Sequence, residues 1–223
     1  MANKEPAGAT NSFDANRDLV AAFPTPMINT RLEGATALNA GLRRIILAME
    51  SASTGMNRSN VGGWHSAKTL FDEPEPELKQ LATHIDALVR QLAGLAVSKE
   101  AWKGGVTYSA WANVSRRGDY NRMHNHPGAH WSGVYYVDPG TADREPAGEA
   151  GKIEFQDPRG LAQMTHTPGE PFGRSFSIRP TAGQVLIFPS FMFHCVHPYH
   201  DDGARISIAF NALMGRPHPD QTY

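Results

Sequence analysis

The apolar positions of the chain keep two different rhythms. Leu38, Leu42, Ile45, Ile46 and Met49 recur at helical spacing, which predicts an amphipathic helix over 35–52. Pro74 and Pro76 introduce a second helix, 77–95, with its stripe at Leu78, Leu81, Ile85, Leu88, Leu92 and Leu95. Past Gly104-Gly105 the rhythm shortens. Val106–Val114, Gly133–Val137, Lys152–Gln156, Phe176–Ile178, Gln184–Phe188 and Arg205–Leu213 are short runs rich in β-branched and aromatic residues. Gly, Pro, Asp and Asn separate them, the pattern of an all-β sandwich or barrel. Helices first and then strands predict an α+β, mainly β fold with segregated layers, not a doubly wound parallel sheet.

The remaining stretches punctuate this plan. Residues 1–18 are polar and aperiodic and read as a flexible tail. Phe23–Ile28 is a short extended piece whose prolines restrict it to a sheet edge or a strand's start. Ser51–Gly63, rich in Ser, Thr, Asn and Gly, reads as a loop. The expected organisation is one domain over 19–223, with a helical part at 35–97 and a β core over about 104–213.

Composition narrows the partners. With 21 basic and 22 acidic residues the net charge is -1, so neither nucleic acid nor an anionic membrane is indicated. No apolar run approaches the roughly 20 residues that span a bilayer, and Met1–Gly8 has no apolar signal core. The one cysteine, Cys195, excludes an internal disulfide framework and fits a reducing compartment. A soluble cytoplasmic protein is the expectation. No glycine-rich phosphate loop and no internal repeat is present.

The chemistry gathers in two stretches. In Tyr120–Val137, His124 and His126 stand two apart just before a β-type run. Extended backbone sends residues i and i+2 to the same side, so both imidazoles can face one pocket and one metal. In Ala182–Pro198, a buried-looking strand ends at Pro189-Ser190 and His194 opens the next extended run. Further on, alternation puts Arg205, Ser207 and Ala209 on one strand face and Ile206, Ile208 and Phe210 on the other. An arginine heading so apolar a strand calls for a fixed anion, which its planar fork matches bidentately.

Over roughly 106–213 these features resemble the iron(II)- and 2-oxoglutarate-dependent dioxygenases built on a double-stranded β-helix. The marks are His124-Asn125-His126 before Ser132–Val137, His194 in the Gly183–Pro198 context, and Arg205 with Ser207 in an R-x-S arrangement. The sequence is similar to a subgroup of 2-oxoglutarate–Fe(II) oxygenases sharing the H-x-H and S-G-V-Y-Y features, and to prolyl-hydroxylase-like proteins. The resemblance implies a jelly-roll, cupin-like fold buttressed by the helices. It implies Fe(II), dioxygen and 2-oxoglutarate, with hydroxylation of a small-molecule or peptide substrate and release of succinate and carbon dioxide. His124, His126 and His194 would be the metal ligands. Arg205 would hold the far carboxylate of 2-oxoglutarate, with Ser207 and Tyr136 as hydroxyl donors and Asn113 as a further candidate. His126 departs from the family's usual aspartate or glutamate, and imidazole suits Fe, Zn, Cu and Ni alike.

Other residues read more plainly. His197 falls on the opposite strand face, and alternation turns Cys195 from the metal. Tyr135 and Trp131 are packing residues, His130 either lines the pocket mouth or is solvated, and His65 is a loop histidine. Arg159, at the Asp157-Pro158-Arg159 strand end, is a candidate contact for an acidic substrate. Two rivals stand beside the dioxygenase: a cupin-like three-histidine metalloenzyme without 2-oxoglutarate, and a non-catalytic metal-binding β-sandwich. The helices either buttress a sheet or form a homodimer face.

Overall fold

Side-chain alternation along the strands divides the apolar residues between two layers. The computed structural model describes residues 14–95, 100–140, 148–160, 164 and 175–216. It opens with α1 (Ala15–Asp18), β1 (Ile28–Arg31), α2 (Ala35–Ala52), β2 (Asn60–Val61), β3 (Trp64–His65), a 3-10 turn at Leu70–Asp72 and α3 (Pro76–Leu95). The strands β4 (Val106–Ser115), β5 (Tyr120–His124), β6 (Trp131–Asp138) and β7 (Ile153–Gln156) follow. The last four are β8 (Ser175–Ile178), β9 (Gln184–Pro189), β10 (His194–Val196) and β11 (Arg205–Met214). A six-stranded sheet runs β1-β9-β6-β11-β4-β3 and a five-stranded sheet β2-β5-β10-β7-β8, their strand pairs antiparallel. Facing each other, they make the double-stranded β-helix that the sequence leads one to expect.

The outer face of the six-stranded sheet is covered by helices. Tyr135 and Val137 of β6, Val185 and Ile187 of β9, and Ile206, Ile208 and Phe210 of β11 pack there with Leu42, Ile46, Leu81, Ile85 and Val89. The alternate positions turn inward. Val134, Tyr136, Leu186 and Phe188 meet Ile153, Phe155 and Met192 between the sheets. A one-residue slip of any of these strands would exchange the two layers, so register is strongly specified. Gly133 lets β6, β9 and β11 approach: a Cβ there would lie 2.3 Å from Phe210 Cζ and 2.6 Å from the Leu186 carbonyl oxygen.

Several expectations are refined. The α3 stripe is Leu78, Leu81, Ile85, Val89 and Leu92, while Leu88 is partly buried and Leu95 is 66% exposed. The expected stripe has a 3.5-residue period, and a straight helix at 3.6 residues per turn drifts away from it. The extended piece near Phe23 becomes a strand only at Ile28, and β1 is indeed an edge. Part of the expected tail, Ala15–Asp18, is a helical turn capped by Asp14; residues 1–13, and 96–97 of the helical part, lie outside the described residues. The expected loop 51–63 holds β2, which pairs with β5, and β3 follows immediately to pair with β4 of the other sheet. Gly62 and Gly63, at φ 68° and 66°, turn the corner between them in the left-handed region that glycine adopts without strain. Among the described residues no helix is long and apolar enough to cross a membrane.

Candidate metal centre

Three imidazoles meet between the sheets although the chain separates them widely. His124 ends β5 and His194 opens β10, directly opposite it in the ladder. His126 lies two residues past β5, where its N–H donates to the Ser190 carbonyl. It shares the pocket through that turn, not through strand alternation. One nitrogen of each ring lies within 4.8 Å of the others. Backbone carbonyls fix two tautomers, because a carbonyl oxygen only accepts. His124 Nδ1 donates to Arg122 O at 2.7 Å and His194 Nδ1 to Met192 O at 3.0 Å. Each therefore offers the Nε2 lone pair inward, and His126 Nε2 stands 3.3 Å from His194 Nε2.

Burial holds all three rings neutral. It depresses His194 to about 3, aided by the charges that His124 and His126 would carry, and His126 to about 4, aided by His124 and Lys68. His124 is lowered by the same desolvation. Neutral imidazole is the ligand form, and an ion bound at about 2.1 Å to three nitrogens is the usual geometry for such donors. The donor set fits a divalent transition metal. The backbone carbonyls on Nδ1 are the outer partners that orient metal-binding imidazoles.

A cation lies deeper, on the opposite wall. Arg205, Ser207 and Ala209 project inward from β11, and the chamber they share with the imidazoles is also lined by Trp111, Asn113, Tyr136, Phe188 and Asn121. Arg205 is 3% exposed, and its guanidinium carbon sits 5.3 Å from the centre of the Tyr136 ring. No carboxylate pairs with it among the described residues, and both Arg205 Nε and Tyr136 Oη are buried without a hydrogen-bond partner there. Burial pushes the Tyr136 phenol up to about 12, against the pull of Arg205. It also lowers the Arg205 guanidinium, against Tyr136 and Tyr199. Buried polar atoms left unpaired are costly and rare. This pair of donors suits an incoming carboxylate, and so fits 2-oxoglutarate. The chamber is narrow, about 60 Å³.

The structure thus brings together His124, His126, His194, Arg205, Ser207, Tyr136 and Asn113. The remaining candidates go elsewhere. His130 lines neither space beside the imidazoles; it is exposed, the solvated of its two expected places, and its Nδ1 accepts from the Met214 N–H at 3.0 Å. Arg159 forks onto Asp157 at 3.0 and 2.7 Å, outside this chamber. Cys195 and His197 lie with Glu154 on the other side of β7 and β10, where His197 Nε2 and Glu154 Oε2 are hydrogen-bonded at 2.7 Å. Tyr135 donates to Asn39 at 2.5 Å in the helical layer, the packing role expected of it. His65 is not a loop residue: it is 3% exposed in β3 and stacks on Trp111 with centroids 5.4 Å apart. Ser59, Asn121, Trp111, Arg58 and Lys68 also belong to the site's walls. Of these only Trp111 carries a sequence signal, since it shares a face of β4 with Asn113. Asn121 comes from β5, and Arg58, Ser59 and Lys68 from the segments flanking the short strands β2 and β3.

Fold and site together define an oxygenase-type double-stranded β-helix. Residues 109–211, within the span from β4 through β11, match the model of the family described as "Putative 2OG-Fe(II) oxygenase". Solved structures agree on the fold. A Pseudomonas putida prolyl-4-hydroxylase superposes with a TM-score of 0.60 at 15% identity, covering 86% of this chain and 94% of its own. The α-ketoglutarate-dependent epimerase SnoN of nogalamycin biosynthesis gives 0.60 at 14%, covering 85% and 78%. The collagen prolyl hydroxylase of Paramecium Bursaria Chlorella virus-1, in its 2OG complex, gives 0.53 at 12%, covering 84% and 96%. No curated protein matches the sequence.

Proposed function

We propose that the protein is an Fe(II)/2-oxoglutarate dioxygenase that hydroxylates its substrate. The observation that carries this reading is Arg205: a buried guanidinium without a carboxylate partner among the described residues, aimed at a chamber whose other wall holds three neutral imidazoles. A metalloenzyme that did not use 2-oxoglutarate has no task for it, nor for the unpartnered Tyr136 hydroxyl. His124, His126 and His194 would hold the metal, leaving the chamber side open as a catalytic site requires. With iron, 2-oxoglutarate and dioxygen, the cofactor chemistry couples oxidative decarboxylation to hydroxylation of a substrate C–H. The chain's part is positioning. Arg205 clamps the far carboxylate bidentately, Tyr136 and Ser207 donate to it, and Phe188, Val134 and Ile153 keep bulk water from the chamber.

The test is anaerobic. The wild-type chain loaded with Fe(II) binds 2-oxoglutarate by calorimetry and develops a weak visible charge-transfer band. Arg205→Met loses at least about a hundredfold in that affinity, the worth of a charge-assisted bidentate pair. It still folds, because an unpaired buried charge is exchanged for an apolar side chain. Neither band nor binding heat from the wild type would overturn the reading.

A further inference from the structure

A second space adjoins the metal centre and carries a charge signature of its own. It encloses about 250 Å³ and is lined by Arg58, Ser59, His65, Lys68, Trp111, His124, Asn125 and His126. It shares Ser59, Trp111, His124 and His126 with the inner chamber, so it lies on the outer side of the candidate ligands. Neither space has an aspartate or glutamate in its wall. Arg205 stands in the inner one, and Arg58 and Lys68 in the outer. Neither Arg58 nor Lys68 has a carboxylate partner among the described residues, and Lys68 Nζ rests 5.3 Å from the centre of the Trp111 indole.

The metal set sharpens the imbalance. Three imidazoles neutralise none of a divalent ion's charge, whereas a carboxylate ligand would remove one unit. The two carboxylates of 2-oxoglutarate would cover Arg205 and one unit of a divalent metal's charge in the inner chamber, leaving one unit over. Nothing in the wall answers Arg58 and Lys68.

Building on the dioxygenase reading, we propose that the substrate is a small oxyanion, a carboxylate or phosphate ester. Its charged end sits between Arg58 and Lys68, and its carbon skeleton runs past Trp111 toward the imidazoles. A small molecule is favoured over a peptide because the space falls below the usual 300 Å³ lower bound for drug-sized pockets. Pairing of β2 with Tyr120 and Asn121, and of the Arg122 N–H with the Ser59 carbonyl, occupies part of the β5 edge that an extended chain would otherwise join.

The test uses the full chain with anaerobic Fe(II) and saturating 2-oxoglutarate, which fills the Arg205 site. Phenyl phosphate, phenylacetate and uncharged phenylacetamide are compared by equilibrium dialysis. At least one anion binds about tenfold or more tightly than the amide, and which anion leads tells phosphate ester from carboxylate. Arg58→Ala with Lys68→Ala removes that preference and leaves 2-oxoglutarate affinity unchanged. Arg58→Lys with Lys68→Arg retains it. An amide bound as well as both anions, an alanine pair without effect, or tighter binding of a short acidic peptide than of either anion would overturn the proposal. Failure of the dioxygenase reading shows separately, as wild-type protein that takes up no 2-oxoglutarate at all.

Discussion

Tyr136 shows how one residue can serve the site at the expense of the fold. It is fully buried, and its hydroxyl has no partner among the described residues. A buried unsatisfied hydroxyl costs about 1–3 kcal/mol. Tyr136→Phe should therefore raise the stability of the ligand-free protein by about 1 kcal/mol and weaken 2-oxoglutarate by about tenfold. Thermal melts with and without 2-oxoglutarate read both effects, and the gap between the two melting temperatures narrows in the variant. A stabilised variant with undiminished 2-oxoglutarate affinity would place the hydroxyl outside the cosubstrate contact.

At the scale of elements, legibility in the sequence tracks periodicity. The helix 35–52 and the strands Val106–Ser115 and Arg205–Met214 announce themselves because one face of each meets a core. The same alternation separates Arg205 and Ser207 from Ile206 and Ile208, so the deep half of the site is readable from the chain. The outer half is not. Arg58 and Ser59 precede the two-residue strand β2 and His65 lies on the two-residue strand β3, segments too short to display any period. The helical stripe also makes a graded prediction. Leu81→Ala, at 0% exposure, costs about 2–5 kcal/mol in denaturant unfolding, whereas Leu95→Ala, at 66%, changes stability by no more than about 0.5 kcal/mol. Equal effects would show that the 3.6-residue register of α3 is wrong.

For the molecule as a whole, the buried imidazoles set a pH dependence. His194 at about 3 and His126 at about 4, with His124 and His65 also lowered by burial, bind protons far less readily folded than unfolded. Their contribution is fully present above the unfolded value near 6.5 and falls as the pH drops toward about 4. The unfolded chain takes up protons over that window and the folded chain does not. Each imidazole contributes a slope of at most about 1.4 kcal/mol per pH unit. Metal-free protein should melt progressively lower between pH 7 and pH 5 by circular dichroism, and His194→Asn should flatten the trend. A level wild-type profile would mean that the rings titrate normally.

The four-residue corner from Asn60 to Gly63, continued by Trp64 and His65, is sewn to one sheet and then at once to the other. At that end the two walls of the sandwich are held at a set spacing by backbone pairing, not by a hinged flap. On the dioxygenase reading, selectivity for what reaches the imidazoles would reside in that aperture. Exchanging this short seam for another of equal length is the natural way to retune such an enzyme.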